Sequence, residues 1–240
     1  MEICIEPSYE ALGKRAANDL LRLVADTKNP LLCPTSGSTP AALYKTLVQR
    51  LQKENVDYSG WRFVGLDEWA GMNGSDAGSC RDFVDKELFQ PLGIKEEMIC
   101  FFDGTATDLE QECRRVETFI NQHGGITVAM VGLGLNGHVG MNEPGTPVTQ
   151  RAHVAHIAAQ TQEVGQKYFT EPKDLSKGLT LGLATLLEAQ HVFLLANGEK
   201  KAAIVKQIIE SPENENLPAS LLKQHPNFTV YLDKEAAKLL

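Results

Sequence analysis

The side chains best suited to proton transfer stand in residues 131–144, VGLGLNGHVGMNEP. His138 carries the group whose unperturbed pKa lies nearest neutrality. Glu143, held between the turn formers Asn142 and Pro144, is a carboxylate within reach of that imidazole. Gly132, Gly134, Gly137 and Gly140 let the backbone adopt positive φ and come close to a ligand. The stretch follows an apolar run, residues 126–131, that reads as a buried strand. Open α/β sheets place their ligands on loops of this kind, at the carboxyl ends of parallel strands.

Two other clusters could serve the same chemistry. Residues 35–40, TSGSTP, lie between a strand and a helix. Free N–H groups at a helix start, the helix dipole and Ser/Thr hydroxyls together make a phosphate cradle. Ser38 or Thr39 acting only as a helix cap is the competing reading, and the Walker pattern GxxxxGK[ST] is absent. Asp67 and Glu68 follow a second strand. Either carboxylate suits a general base, and either equally suits capping or bridging a nearby helix.

Some literal matches carry no weight. Gly132-x-Gly134-x-x-Gly137 has the dinucleotide spacing, but that fingerprint needs a following helix and an acidic residue about 20 positions on. Helix breakers follow here, and no Asp or Glu lies between Glu143 and Glu163. His138 and Glu143 lack the HExxH spacing of a metal site, so no metal is expected. His123, His153, His156, His191 and His225 are isolated and are assigned structural roles.

The elements that must position these clusters alternate along the chain. Strands are expected at residues 1–5, 29–33, 61–66, 98–102, 126–131, 152–158, 191–196 and 228–232. Helices are expected at 9–25, from Pro40 through 52, and at 80–89, 108–122, 179–189 and 199–209, with an amphipathic segment at 161–169. Pro40 suits the first helical turn. Such alternation implies an α/β fold with a mainly parallel sheet covered by helices on both faces. The 240 residues fit one domain spanning 1–240, ample for a buried core.

Composition narrows the partners. With 23 Lys and Arg against 31 Asp and Glu, the net charge is −8, and no basic run occurs. Nucleic acid and anionic membranes are therefore not expected partners. The cysteines (Cys4, Cys33, Cys80, Cys100, Cys113) are five in number, widely spaced and without a CxxC pair. They read as reduced thiols filling the core. The acidic start lacks a signal-peptide n-region and no long apolar span occurs, so a cytoplasmic location is expected.

In order, Ser36-Gly37-Ser38-Thr39-Pro40, Leu66-Asp67-Glu68-Trp69 and Asn136-Gly137-His138…Asn142-Glu143-Pro144 resemble the motifs of the glucosamine-6-phosphate deaminase/isomerase family. The resemblance runs from the first helix to the last strand. It implies a three-layer, modified Rossmann-like fold. It also implies a cofactor-free conversion of a 2-amino-2-deoxyhexose 6-phosphate into a ketohexose 6-phosphate and ammonia. In that family the residue matching Asp67 moves a proton between C2 and C1, and the residue matching His138 opens the pyranose ring. Those matching Asn136 and Glu143 orient and tune the histidine. The phosphate ligands match Ser36, Gly37, Ser38, Thr39 and Lys201.

Two departures stand out. The family's phosphate arginine falls at Lys167, which supplies charge but no bidentate fork. Asn136 replaces the Asp of the glucosamine branch, which makes the chain more similar to the galactosamine-6-phosphate deaminase branch. The resemblance thus favours galactosamine 6-phosphate, with glucosamine 6-phosphate next. The chain ends just after its last expected strand, without the C-terminal extension of the large allosteric members. Their hexamer and effector site are not expected; a monomer or small homo-oligomer is. Two rivals are a 6-phosphogluconolactonase-like hydrolase and a non-catalytic sugar-phosphate sensor. The first would need no base at Asp67. The second would carry a helix-turn-helix segment and lack catalytic residues.

Overall fold

A computed structural model describes residues 1–54 and 56–240. Its ten strands are β1 (Glu2–Glu6), β2 (Leu31–Cys33), β3 (Arg62–Val64), β4 (Asp67–Trp69), β5 (Ile99–Cys100), β6 (Val128–Gly132), β7 (His153–His156), β8 (Lys177–Thr180), β9 (His191–Ala196) and β10 (Phe228–Asp233). Seven form one sheet in the order β1-β10-β9-β6-β2-β3-β5, with every pair parallel. From β2 the chain winds outward through β3 to β5. It then returns to β6, beside β2, and winds the other way through β9 and β10. The switch point of this doubly wound sheet therefore lies between β2 and β6.

Side chains alternate across the sheet, as a two-residue period requires. Ala129, Val131, Val192 and Leu194 face one core. Val128, Met130, Phe193 and Leu195 face the other. The second core is closed by α1 (Tyr9–Val24), α2 (Ala41–Lys53) and α3 (Cys80–Val84). A π-helical turn, Asp85–Phe89, and α4 (Gln90–Leu92) continue α3. The first core is closed by α5 (Leu109–Gln122), then by α7 (Leu183–Leu187), α8 (Ala202–Glu210) and α9 (Pro218–Leu221). Between them in sequence, α6 (Ala159–Gly165) lies over the site described below. The caps follow local chemistry: Ser8, Ser79 and Asp108 each accept an N–H from the first turn of their helix. Pro40 stands one residue before α2, at φ −75°. All five cysteines are free and buried. Among the described residues no helix is long and apolar enough to cross a membrane.

The strand expected at 152–158 lies outside the parallel sheet, and β4 and β8 stand where no strand is expected. β4, β8 and β7 form a separate three-stranded antiparallel sheet. Residues 61–66 therefore do not run on into 67–69: the chain leaves the large sheet at Gly65 and Leu66 and begins a new strand at Asp67. The helix expected over 179–189 is also corrected. Its first residues are the end of β8, and the helix itself spans only Leu183–Leu187. Leu179, Leu183 and Leu186 have helical spacing, but that spacing straddles a turn at Gly182. A Cβ there would lie 2.0 Å from the Gln150 carbonyl oxygen, so the chain bends where the apolar period continues.

Candidate active site

The loops after β2, β3, β6 and β9 leave the carboxyl ends of four adjacent strands and surround a cavity of about 500 Å³. In the loop after β6, the His138 imidazole packs directly over Gly134, where any Cβ would sit 2.3 Å from the ring. Asn142 is fully buried, and its Nδ2 donates to the carbonyls of Val139 and Leu181 at 2.9 Å each, tying the loop to the small sheet. Asn136 bridges the other two polar groups. Its Oδ1 lies 2.7 Å from His138 Nδ1 and accepts the His138 backbone N–H at 3.2 Å. Its Nδ2 donates to Glu143 Oε2 at 2.7 Å.

This network fixes the tautomer. Turning the Asn136 amide over would set its NH2 against a backbone donor and its oxygen against a carboxylate. Oδ1 therefore faces the imidazole, His138 Nδ1 carries the proton, and Nε2 presents a lone pair. Burial lowers the His138 pKa; the Glu143 charge opposes the shift and Lys201 adds to it. At neutral pH the ring is a neutral base. Thr161 Oγ1 on α6 stands 3.3 Å from Nδ1, and the Ala158 N–H donates to Glu143 Oε1 at 3.3 Å.

The two adjacent carboxylates have separate tasks. Glu68 is fully buried. Its Oε1 accepts the N–H groups of Trp69 (2.9 Å) and Cys80 (3.0 Å), and its Oε2 accepts that of Arg81 (2.9 Å). It thus caps α3 and anchors that helix to β4. Asp67 points instead into the cavity while only 7% exposed. Burial pushes its carboxyl up to about 6, against the Cys80 thiol beside it, which favours the ionised form. A carboxylate with a pKa near 6 is ionised at neutral pH yet basic enough to take a proton from carbon.

The loop at 35–40 is held from outside the cavity. The Tyr9 hydroxyl donates to the Ser38 carbonyl at 2.5 Å and accepts the Ala42 N–H at 3.0 Å, doing the capping that Pro40 cannot. The Ser38–Thr39 peptide is planar and trans, so pinning its carbonyl on Tyr9 turns the Thr39 N–H the opposite way. The amides of Gly37, Ser38 and Thr39 find no acceptor among the described residues. Free amides at the start of a 13-residue helix have the donors and dipole that an anion would need. The Thr39 hydroxyl lies 2.8 Å from Asn197 Oδ1. Lys201 reaches in from the loop after β9 and donates to the Leu133 carbonyl. Burial, and then repulsion by Lys167, lowers its pKa to about 8.

That value makes anion binding depend on pH in the alkaline range. Lys201 is charged below about pH 8 and neutral above it. Binding of a sugar phosphate without an amine, such as fructose 6-phosphate, should weaken about five- to tenfold between about pH 7 and pH 9. The Lys201→Ala variant should bind weakly throughout, with the slope gone. Titration calorimetry at several pH values reads this directly, and a flat wild-type profile would remove Lys201 from the anion site.

Of the residues singled out in the sequence, Ser36, Gly37, Ser38, Thr39, Asp67, Asn136, His138, Lys167 and Lys201 line the one cavity. Glu143 stands behind Asn136. Cys80, Thr161 and Tyr168 also line it, and Tyr9 supports it from behind; none of the four belongs to a local motif.

Fold and site together define the class: a modified Rossmann-like α/β protein whose switch point gathers a buried carboxylate, an imidazole bonded to a side-chain amide, and two lysines beside free backbone amides. The chain belongs to the family of glucosamine-6-phosphate isomerases/6-phosphogluconolactonase, whose profile matches residues 6–231. A glucosamine-6-phosphate deaminase of Thermoanaerobacter pseudethanolicus is 33% identical over 241 residues, covering 100% of this chain and 95% of that protein. The structure of a monomeric glucosamine-6-phosphate deaminase matches with a TM-score of 0.96 at 34% identity, covering 100% of both chains. The 6-phosphogluconolactonase of Trypanosoma brucei shares the fold, with a TM-score of 0.76 at 20% identity over 100% of this chain and 98% of that one.

Proposed function

We propose that this protein converts glucosamine 6-phosphate and water into fructose 6-phosphate and ammonium, without a cofactor. The observation that carries the reading is the convergence of the Asp67 carboxylate, the His138 relay and the free amides of residues 37–39 on one cavity. The full-length likeness to glucosamine-6-phosphate deaminases supports it. The phosphate rests on the 36–39 loop with Lys201 and Lys167. His138 Nε2 takes the proton of the anomeric hydroxyl and returns it to the ring oxygen as the ring opens. Asn136 holds the tautomer that makes this transfer work, and Glu143 stabilises the imidazolium that forms in passing. Asp67 then removes the proton from C2 and delivers it to C1 through an enolamine. The resulting C2 imine is hydrolysed, releasing ammonium. The protein works as a single domain, and the monomeric state of its relative supports a monomer.

Galactosamine 6-phosphate comes second, reversing the order that Asn136 implies in the sequence. Both polar ends of Asn136 are committed, one to His138 and one to Glu143. It has nothing left with which to select a C4 hydroxyl. Steady-state kinetics on both amino-sugar phosphates, reading ammonia and ketose phosphate together, test the proposal. We expect a higher kcat/KM for glucosamine 6-phosphate, by about 5- to 150-fold if one hydrogen bond of about 1–3 kcal/mol is misplaced in the epimer. A preference for the galacto epimer would restore the other order. Hydrolysis of 6-phosphogluconolactone with no ammonia from either amine would overturn the deaminase reading itself.

A further inference from the structure

The anion end of the cavity holds a side chain with no other task. Tyr168 sits in the segment after α6, and its main chain is lodged against Gly78, where a Cβ would lie 2.5 Å from the Tyr168 carbonyl oxygen. From that anchor the ring reaches across to the 35–40 loop, and a Cβ on Gly37 would lie 3.3 Å from the phenolic oxygen. The Tyr168 hydroxyl finds no hydrogen-bond partner among the described residues. Tyr168 is 39% exposed and lines the cavity. The Lys167 ammonium lies 4.8 Å from the ring centroid, over its face.

These placements have one chemical reading. An ammonium is a compact charge without a planar fork, so it neutralises a phosphate without orienting it. A phenol is protonated at neutral pH and donates one directed hydrogen bond. A cation over its ring also keeps the ammonium beside the hydroxyl. We propose that Tyr168 is a phosphate-binding residue: its hydroxyl donates to a phosphate oxygen above Gly37, while Lys167, held on its ring, supplies the charge. Charge and direction are thus divided between neighbouring side chains. This rests on the phosphate placement proposed above.

The test is titration calorimetry of the full-length protein with inorganic phosphate and with fructose 6-phosphate. Tyr168→Phe removes one oxygen with no partner among the described residues and should leave the melting temperature unchanged. It should weaken both ligands about tenfold, and because the hydroxyl is neutral, the loss should persist at high salt. Lys167→Ala should lose most at low salt. In a Lys167→Arg background, where a guanidinium supplies charge and direction together, adding Tyr168→Phe should cost less than about twofold. If Tyr168→Phe binds both ligands as tightly as wild type, the inference falls while the phosphate site stands. An equal loss in both backgrounds would overturn the division between Lys167 and Tyr168. If the wild-type protein binds neither ligand, the phosphate placement itself is wrong.

Discussion

Replacing Asp67 by Asn should lower kcat by about 10²- to 10⁴-fold, while fructose 6-phosphate still binds. The substitution keeps the shape of a side chain that is only 7% exposed and removes its capacity to accept a proton. The proposed anion site stands on other loops, at residues 36–39 and Lys201, so ligand binding should be spared. The wild-type pH profile carries the same information. Burial raises the Asp67 pKa to about 6, and the base works only when ionised. The rate therefore holds above about pH 6 and falls tenfold per pH unit below it. A well-folded Asp67→Asn protein with near-normal turnover would move the base elsewhere.

The second large effect falls on stability. Glu68→Ala should cost about 3 kcal/mol or more, because three N–H groups lose their acceptor and each costs about 1–3 kcal/mol when left unpaired. The space vacated by a fully buried side chain adds to the loss. Glu68→Gln separates hydrogen bonding from size. Its single oxygen can still accept from Trp69 and Cys80, but its NH2 then opposes the Arg81 N–H. Urea denaturation should rank wild type above Gln and Gln above Ala. Turnover should fall with stability, since Glu68 ties the strand bearing Asp67 to α3. An Ala variant as stable as wild type would show that α3 needs no such cap.

The parts of this molecule legible from sequence are those written in local pattern. Short apolar runs at residues 126–131 and 191–196 mark buried strands, and the 131–144 loop declares itself by composition alone. Asp67 and Glu68 could not be told apart before their surroundings were known. Only the position of α3, twelve residues on, gives Glu68 two of its three donors, the N–H groups of Cys80 and Arg81. β4 is three residues long, too short for any period, and its partner β8 lies more than a hundred residues away. Tyr9 meets Ser38 across 29 positions, and Tyr168 meets Gly37 across a longer gap still. Contacts of that kind leave no trace in either segment read by itself.

The division into two sheets has an evolutionary consequence. Asp67 belongs to the small antiparallel sheet, whereas the 35–40 loop, His138 and Lys201 follow strands of the large one. On the proposed reading, the residue that moves the carbon-bound proton and the residues that hold the phosphate thus stand on separately built parts. Substitutions in β4, β7 and β8 can explore new chemistry while the handle for the phosphate is inherited intact. A lineage with that arrangement can change its reaction without passing through ancestors unable to bind sugar phosphates. This gives a physical reason why one family can join isomerases and lactone hydrolases under a single fold.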